Sequence, residues 1–317
     1  VTDMSSMFEN CDSLITLFLE GMTCQSVEDM SYMFSGGSGI SELDLSHFIT
    51  PKLVNMDYMF KGMEGLVSLD IKNMITENVT DMSDLFYGNS NLTTILFGDY
   101  FRTSNVTNMS NMFRGVKLTT IDLSNFDTSK VEDMGYMFEG TSNLTNIIFG
   151  DSFITENVTN MRGMFSRSNV TSLDLSGFNT SKVTDMSYMF EKTENITNII
   201  FGDYFLTRNV INMHYMFGDS TVSNLDLRLW DTSSVTDMSQ MFYNTRNITN
   251  IFMGNRFVTT NVINMYQMFD GSSVSELDLQ YFDNQNVESI YGMFNNTTNL
   301  TNLVMGDSFV TSNVTNL

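Results

Sequence analysis

The sequence of 317 residues holds one proline, one tryptophan, two cysteines and two histidines. So little proline, with no Gly-x-y period, excludes a collagen-like chain or a low-complexity linker. No apolar run reaches the roughly 18 residues of a membrane-crossing helix, so no segment reads as inserting directly into a bilayer. Cations are scarce: 15 Lys and Arg stand against 37 Asp and Glu, a formal charge of −22. That balance argues against nucleic-acid and anionic-lipid partners, which attract proteins through Lys and Arg. It suits solubility and cationic partners. Cys11 and Cys24 stand in different parts of a repeating pattern, and a disulfide needs Cα atoms within roughly 7 Å. Two separate thiols are the plainer reading. His47 and His214 fall in different columns of that pattern, and no Gly-x-Ser-x-Gly, His-Glu-x-x-His or phosphate-loop motif occurs. A catalytic site is a unique constellation, whereas this chain repeats everything. It is read as no enzyme, with no cofactor.

What is abundant is methionine, 27 copies, and phenylalanine, 26. They recur in Val-x-x-Met-x-x-Met-Phe, as in Val106, Met109, Met112 and Phe113, then Val131, Met134, Met137 and Phe138, then Val183, Met186, Met189 and Phe190. Positions i, i+3, i+6 and i+7 share one face of a helix, and that face makes the methionines core rather than metal ligands. Asp81, Asp133, Asp185 and Asp237 would then sit in a first helical turn, where the helix dipole favours negative charge. The spacing therefore predicts a short helical turn in every unit. A Ser/Thr column runs through Thr93, Thr119, Thr145, Thr171, Thr197, Ser223, Thr249, Ser275 and Thr301 at a constant step of 26 residues. A short strand follows each, with Leu173 and Leu175 inward and Asp174 outward by alternation. The expectation is a repeat solenoid over residues 1–317: about twelve units in one domain, each with a parallel strand and a helical turn. Both ends fall mid-repeat, as in a fragment.

A second period, twice the first, lies over it. Alternate units carry Gly-Asp-x-Phe after the strand, as at Gly98-Asp99-Tyr100-Phe101 and Gly202-Asp203-Tyr204-Phe205. The others read Leu-Asp-Leu-x-x-Phe, as at Leu173 to Phe178, with Trp230 in the aromatic place of one unit. One carboxylate every second turn gives the Gly-Asp corners too few convergent oxygens for calcium, which takes six to eight, unless loop carbonyls help. Asn before Val, as at Asn78, Asn105, Asn209 and Asn261, suits a ladder or cap better than ligand contact. The outward strand column alternates Leu96, Asp122, Ile148, Asp174, Ile200, Asp226, Phe252, Asp278 and Val304. A purely solvated face has no need of the apolar five. Leu96, Ile148, Ile200, Phe252 and Val304 are therefore expected to contact a partner, with Asp122, Asp174, Asp226 and Asp278 supplying complementary charge.

The stretch Phe178-Asn179-Thr180-Ser181-Lys182-Val183-Thr184-Asp185-Met186-Ser187-Tyr188-Met189-Phe190 resembles the unit of BspA-like leucine-rich-repeat surface proteins. The likeness runs along essentially the whole chain, although only Cys11 matches the cysteine that often follows Met-Phe in that family. It implies a right-handed, elongated leucine-rich-repeat-like array, extracellular or on a cell surface. Its function would be adhesion, binding host or matrix proteins multivalently through the sheet face. The alternative is an architectural rod or spacer in a filament, cell coat or viral particle, with the apolar rungs packed on neighbouring subunits and self-association as its mark.

Overall fold

The computed structural model describes residues 1–316. The chain forms two units, Val1–Asn157 and Val158–Leu317, and each is a parallel β-solenoid. The first contains β1 (Glu42–Asp44), β2 (Ser68–Asp70), β3 (Thr94–Leu96), β4 (Thr120–Leu123) and β5 (Asn146–Phe149). The second contains β6 (Ser172–Leu175), β7 (Asn198–Phe201), β8 (Asn224–Leu227), β9 (Asn250–Met253), β10 (Glu276–Leu279) and β11 (Asn302–Met305). Along β6, Leu173 and Leu175 are buried while Ser172 and Asp174 are exposed. The period of two therefore reads inside from outside correctly.

The expected helical turns are absent: no helix occurs among the described residues. The Val-x-x-Met-x-x-Met-Phe segments are instead successive tight turns that bond to the next copy of themselves. Between Met186 and Lys192 the amides of Met186, Tyr188, Phe190 and Lys192 donate to Asn212, His214, Met216 and Gly218 of the following turn, at 2.8–3.0 Å. The intervening amides of Met189 and Glu191 close turns onto Met186 and Tyr188 at 3.3 and 3.0 Å. Tyr188 takes a φ of 61°, a left-handed conformation that costs a non-glycine residue about 1–2 kcal/mol and stops a helix. Tyr32, Tyr58, Asn111, Tyr136, Tyr215 and Gln240 repeat it. Burial of Val183, Met186, Met189 and Phe190 is complete all the same. A staircase of turns buries the same spacing as a helix, which is why the pattern misleads.

The aspartates assigned to a helical first turn do different work. Asp81, Asp185 and Asp237 each accept the amide two residues on, at 2.8 Å. Their column alternates with asparagine: in the second unit parallel bridges link Asn160, Asp185, Asn212, Asp237 and Asn264 in turn. The amide of Asn108 donates to the carboxylate of Asp81 at 3.2 Å, so alternation turns a would-be stack of like charges into a hydrogen-bonded one.

Two further columns fill the interior. Phe165, Phe190, Phe217, Phe242, Phe269 and Phe294 stack with centroids 5.3–5.9 Å apart. Each aromatic pair adds about 0.5–1.5 kcal/mol beyond its burial. A buried threonine ladder, which the sequence reading passed over, includes Thr50, Thr76, Thr128, Thr180 and Thr232. Their hydroxyls donate to main-chain carbonyls of the next turn at 2.6–3.0 Å. The Asn before Val joins in: Asn78, Asn105, Asn209 and Asn261 donate to carbonyls of the preceding turn. They form the expected ladder.

The sheet itself is not continuous. β1, β2 and β3 form one three-stranded sheet, and beyond them the strands pair two by two: β4 with β5, β6 with β7, β8 with β9, β10 with β11. Each pair is parallel and in register, a Leu-Asp-Leu strand (Ile-Asp-Leu in β4) followed by a strand that leads into Gly-Asp-x-Phe, or into Gly254-Asn255-Arg256-Phe257 after β9. The doubled period of the sequence is this pairing. At the unpaired junctions sit aromatic residues, such as Phe97 against Phe126 at 5.5 Å and Phe201 against Trp230 at 5.2 Å. The corner glycines pack hard on the preceding strand's end: a Cβ at Gly202 or Gly254 would fall on the main chain of Ser176 or Arg228. Close approach of backbone, rather than a left-handed turn, demands glycine there.

Replacing Asn108 by Asp would set carboxylates on three successive turns, Asp81, 108 and Asp133, and remove the donor between two of them. We expect a loss of about 1 kcal/mol or more in thermal or denaturant unfolding at low salt. Much of it should return in 1 M salt, where the screening length shrinks to roughly 3 Å. An unchanged unfolding midpoint would contradict the alternation.

Candidate functional site

The outward face of the paired strands carries the residues singled out from the sequence. Leu96, Ile148, Ile200, Phe252 and Val304 are 47, 42, 47, 51 and 44% exposed, so none has been absorbed by the fold. Register sets each beside an aspartate of the same pair: Asp122 opposite Ile148, Asp174 opposite Ile200, Asp226 opposite Phe252, and Asp278 opposite Val304. Leu96 faces Asp70. Asp70 belongs to the set and was missed, although Leu69-Asp70-Ile71 is a recognisable variant of Leu-Asp-Leu. The repeated element of this face is thus an acid–apolar couple, one per strand pair.

The aspartates are not free side chains. Asp122, Asp174, Asp226 and Asp278 each accept the amide two residues on, from Ser124, Ser176, Arg228 and Gln280, at 2.9–3.2 Å. The hydroxyl and amide of Ser124 and Ser176 hold the carboxyls of Asp122 and Asp174 below the usual carboxylate range. Asp226 is lowered as well, chiefly by hydrogen bonding from Arg228, whose guanidinium Nη2 lies 2.5 Å from it. That ion pair is exposed and contributes little to stability. Oδ1 of each of these carboxylates is committed to the corner; Oδ2 of Asp226 and of Asp278 is bonded by Arg228 and Gln280 as well, and Lys72 pairs with Asp70 at 3.0 Å.

Hydroxyls beside the couples are also committed. Thr93, Thr145, Thr197, Thr249 and Thr301 donate to carbonyls of the preceding turn at 3.1–3.3 Å. Between β7 and β8 the face opens into a recess of about 520 Å³, lined among others by Ile199, Ile200, Phe205, Leu229 and Trp230. Trp230 stacks on Phe205 at 5.8 Å and meets Phe201 edge-on at 5.2 Å.

Elsewhere, cations are drawn into the turn face of the first unit. Lys61 lies 4.5 and 5.0 Å from the rings of Tyr58 and Tyr87, and Arg114 lies 5.2 Å from those of Tyr87 and Tyr136. Cys11 and Cys24 are free, and burial pushes the Cys24 thiol up to about 11. His47 Nε2 meets the carbonyl of Leu19 at 2.8 Å. His214 Nδ1 lies 2.7 Å from Ser239 Oγ, which bonds Asp237 Oδ1 at 2.5 Å. There the carboxylate holds the hydroxyl rather than orienting the imidazole, unlike a nucleophile–base–orienter chain. The same Asp–Ser contact recurs at Asp185 and Ser187, 2.6 Å. It is part of the repeat.

Parallel strands one per turn, an inward Leu/Ile/Val lattice and exposed outward couples define a leucine-rich-repeat solenoid. The chain belongs to a family described as "Mycoplasma protein of unknown function, DUF285", whose profile matches residues 1–96, 62–175, 95–203, 160–274 and 225–317. A leucine-rich cell surface protein from Faecalibacterium prausnitzii shares the fold, with a TM-score of 0.50 at 17% identity, covering 98% of this chain and 78% of that one. A leucine-rich repeat protein from Bacteroides ovatus aligns at a TM-score of 0.48 and 14% identity, over 92% of this chain and 83% of that one. None of the curated proteins compared with the chain matches it. The resemblance to BspA-like proteins therefore extends to the bacterial leucine-rich-repeat fold, and the family shown is DUF285.

Because their folded pKa values lie below the unfolded ones, Asp122 and Asp174 contribute stability that is present above the unfolded pKa. It is lost as pH falls through the folded pKa. Replacing Ser176 by Ala should raise the pKa of Asp174 toward the ordinary carboxylate value, read by carboxyl carbon-13 titration. An unmoved titration would show that the hydroxyl does not hold the charge.

Proposed function

We propose that this chain is a non-catalytic interaction array that binds protein partners multivalently through its outward strand face, displayed at a bacterial cell surface. The carrying observation is the acid–apolar couple: half-exposed apolar side chains set in register beside aspartates pinned by their own corners. Nothing in the packing of either unit calls for those apolar groups outside. Each couple is small, so a single contact is weak; repetition multiplies it through effective concentration once a first contact forms. The leucine-rich cell surface protein of similar fold supports the surface setting.

The couples also favour a foreign partner over a second copy. Two such faces brought together would set aspartate rows near one another on chains of charge −22, and like charges at an interface disfavour association. A cationic partner gains from both halves of the couples at Asp122, Asp174 and Asp278, while Asp70 and Asp226 are already paired with Lys72 and Arg228. The architectural rod, with apolar rungs buried against neighbouring subunits, is thus the less favoured reading.

Substituting Asp at positions 96, 148, 200, 252 and 304 removes the apolar half and leaves the fold's buried columns untouched. Purified array and variant would be tested against a panel of matrix and cell-surface proteins, after their mass in solution is measured. Binding by the array, reduced at least about tenfold in the variant, is the expected result. Undiminished binding would contradict the reading. Self-association of the array, lost in the variant, would replace it with the architectural one.

A further inference from the structure

We infer that the recess between β7 and β8 is the anchor point of this face: a socket for one large apolar side chain carried on a cationic segment of the partner. This rests on the docking role proposed for the face and names where and with what chemistry contact is made. In a repeat protein each turn copies its neighbours, so departures mark positions with a local task. The three residues after the strand read Ser124-Asn125-Phe126, Ser176-Gly177-Phe178 and Gln280-Tyr281-Phe282 in comparable turns. Here they are Arg228-Leu229-Trp230, with an exposed aliphatic side chain in the middle place and an indole in the third.

Each replacement shapes the recess. Leu229 is 70% exposed and with Ile200 makes an apolar lip that solvation alone does not call for. Trp230, 1% exposed, forms a rigid floor held by Phe201 and Phe205. Phenylalanine fills its place elsewhere, so packing does not require an indole, and the indole Nε1 is buried with no acceptor. The volume, about 520 Å³, lies within the range of roughly 300–1,000 Å³ seen for ligand-binding clefts. It exceeds what one leucine or phenylalanine side chain fills, which leaves room for the segment carrying it.

Charge settles the flanks. Ile200 is in register with Asp174, Asp203 follows the lining residue Gly202 and is exposed, and Asp226 lies on the recess wall. Arg228 is folded back onto Asp226, so the wall holds one neutralised pair, and Asp174 and Asp203 stand just outside the recess as further carboxylates. An apolar residue between lysines or arginines complements that arrangement. The same residue between glutamates is repelled.

Trp230 is the sole tryptophan, so its indole N–H gives a single nitrogen-15 correlation peak that reports on the floor of the socket. The array would be titrated with Ac-Lys-Phe-Lys-amide, with Ac-Lys-Ser-Lys-amide and Ac-Glu-Phe-Glu-amide as controls. We expect a saturable shift with the first alone, with a dissociation constant on the order of millimolar, as one side chain permits. Leu229→Ser, at an exposed position, should weaken it at least about fivefold with the unfolding midpoint unchanged. A peak unmoved by Lys-Phe-Lys, moved equally by Lys-Ser-Lys, or moved equally in the Leu229→Ser variant would overturn the socket. If in that case the five-aspartate variant still loses its protein partner, the face remains the docking surface and only the anchor is wrong. If neither responds, both readings fall.

Discussion

Main-chain amides in the Val-to-Phe segments have two places to go, and half of them go to the neighbouring turn. That sharing is the constraint on which the rest of the structure depends. A helix would satisfy its amides within itself and leave adjacent copies free to slide. Here Met186, Tyr188, Phe190 and Lys192 can be satisfied only if the next turn presents Asn212, His214, Met216 and Gly218 in step. An unsatisfied buried amide costs about 1–3 kcal/mol, so four per turn penalise any slip of register. Once register is locked, every position becomes a column, and each column must tolerate stacking on itself.

The columns solve that problem in different ways. Phenylalanine stacks offset on phenylalanine, threonine hydroxyls reach up to the next carbonyl, and asparagine separates aspartates that would repel. On the opposite side the sheet is relieved of the need for continuity, because register is already held. It breaks into pairs, and the junctions take in aromatic corners. Outward residues are freed in the same way: the aspartate of each pair caps its own corner, and its neighbour is left to meet something other than the protein itself.

Much of this was legible in the sequence, and the illegible parts have physical reasons. The period, the inward Leu/Ile column and the exposed five from Leu96 to Val304 follow from spacing alone, since alternation along a strand has a single solution. The helical turn did not survive, because Val183, Met186, Met189 and Phe190 are buried equally by a helix or by stacked three-residue steps. The residue that decides between them, Tyr188 with a φ of 61°, is a type that gives no warning of a left-handed conformation. The buried threonine ladder was hidden because Thr180 looks like surface until the next turn supplies Leu206 as acceptor. The doubled period was visible, but its meaning as pairwise strand bonding depends on how Phe201, Gly202 and Trp230 pack between turns.

Residue-resolved hydrogen exchange addresses the central point most directly. If the turn-to-turn ladder is the spine, the amides of Met186, Tyr188 and Phe190 should be the slowest to exchange in their unit, close to the limit set by global unfolding. Amides of β7 and β8 should open at lower free energy, because those two strands do not pair with each other. The reverse order, with the strands slowest and the Val-to-Phe segments exchanging early, would contradict the account. It would place the spine of the fold in the sheet instead.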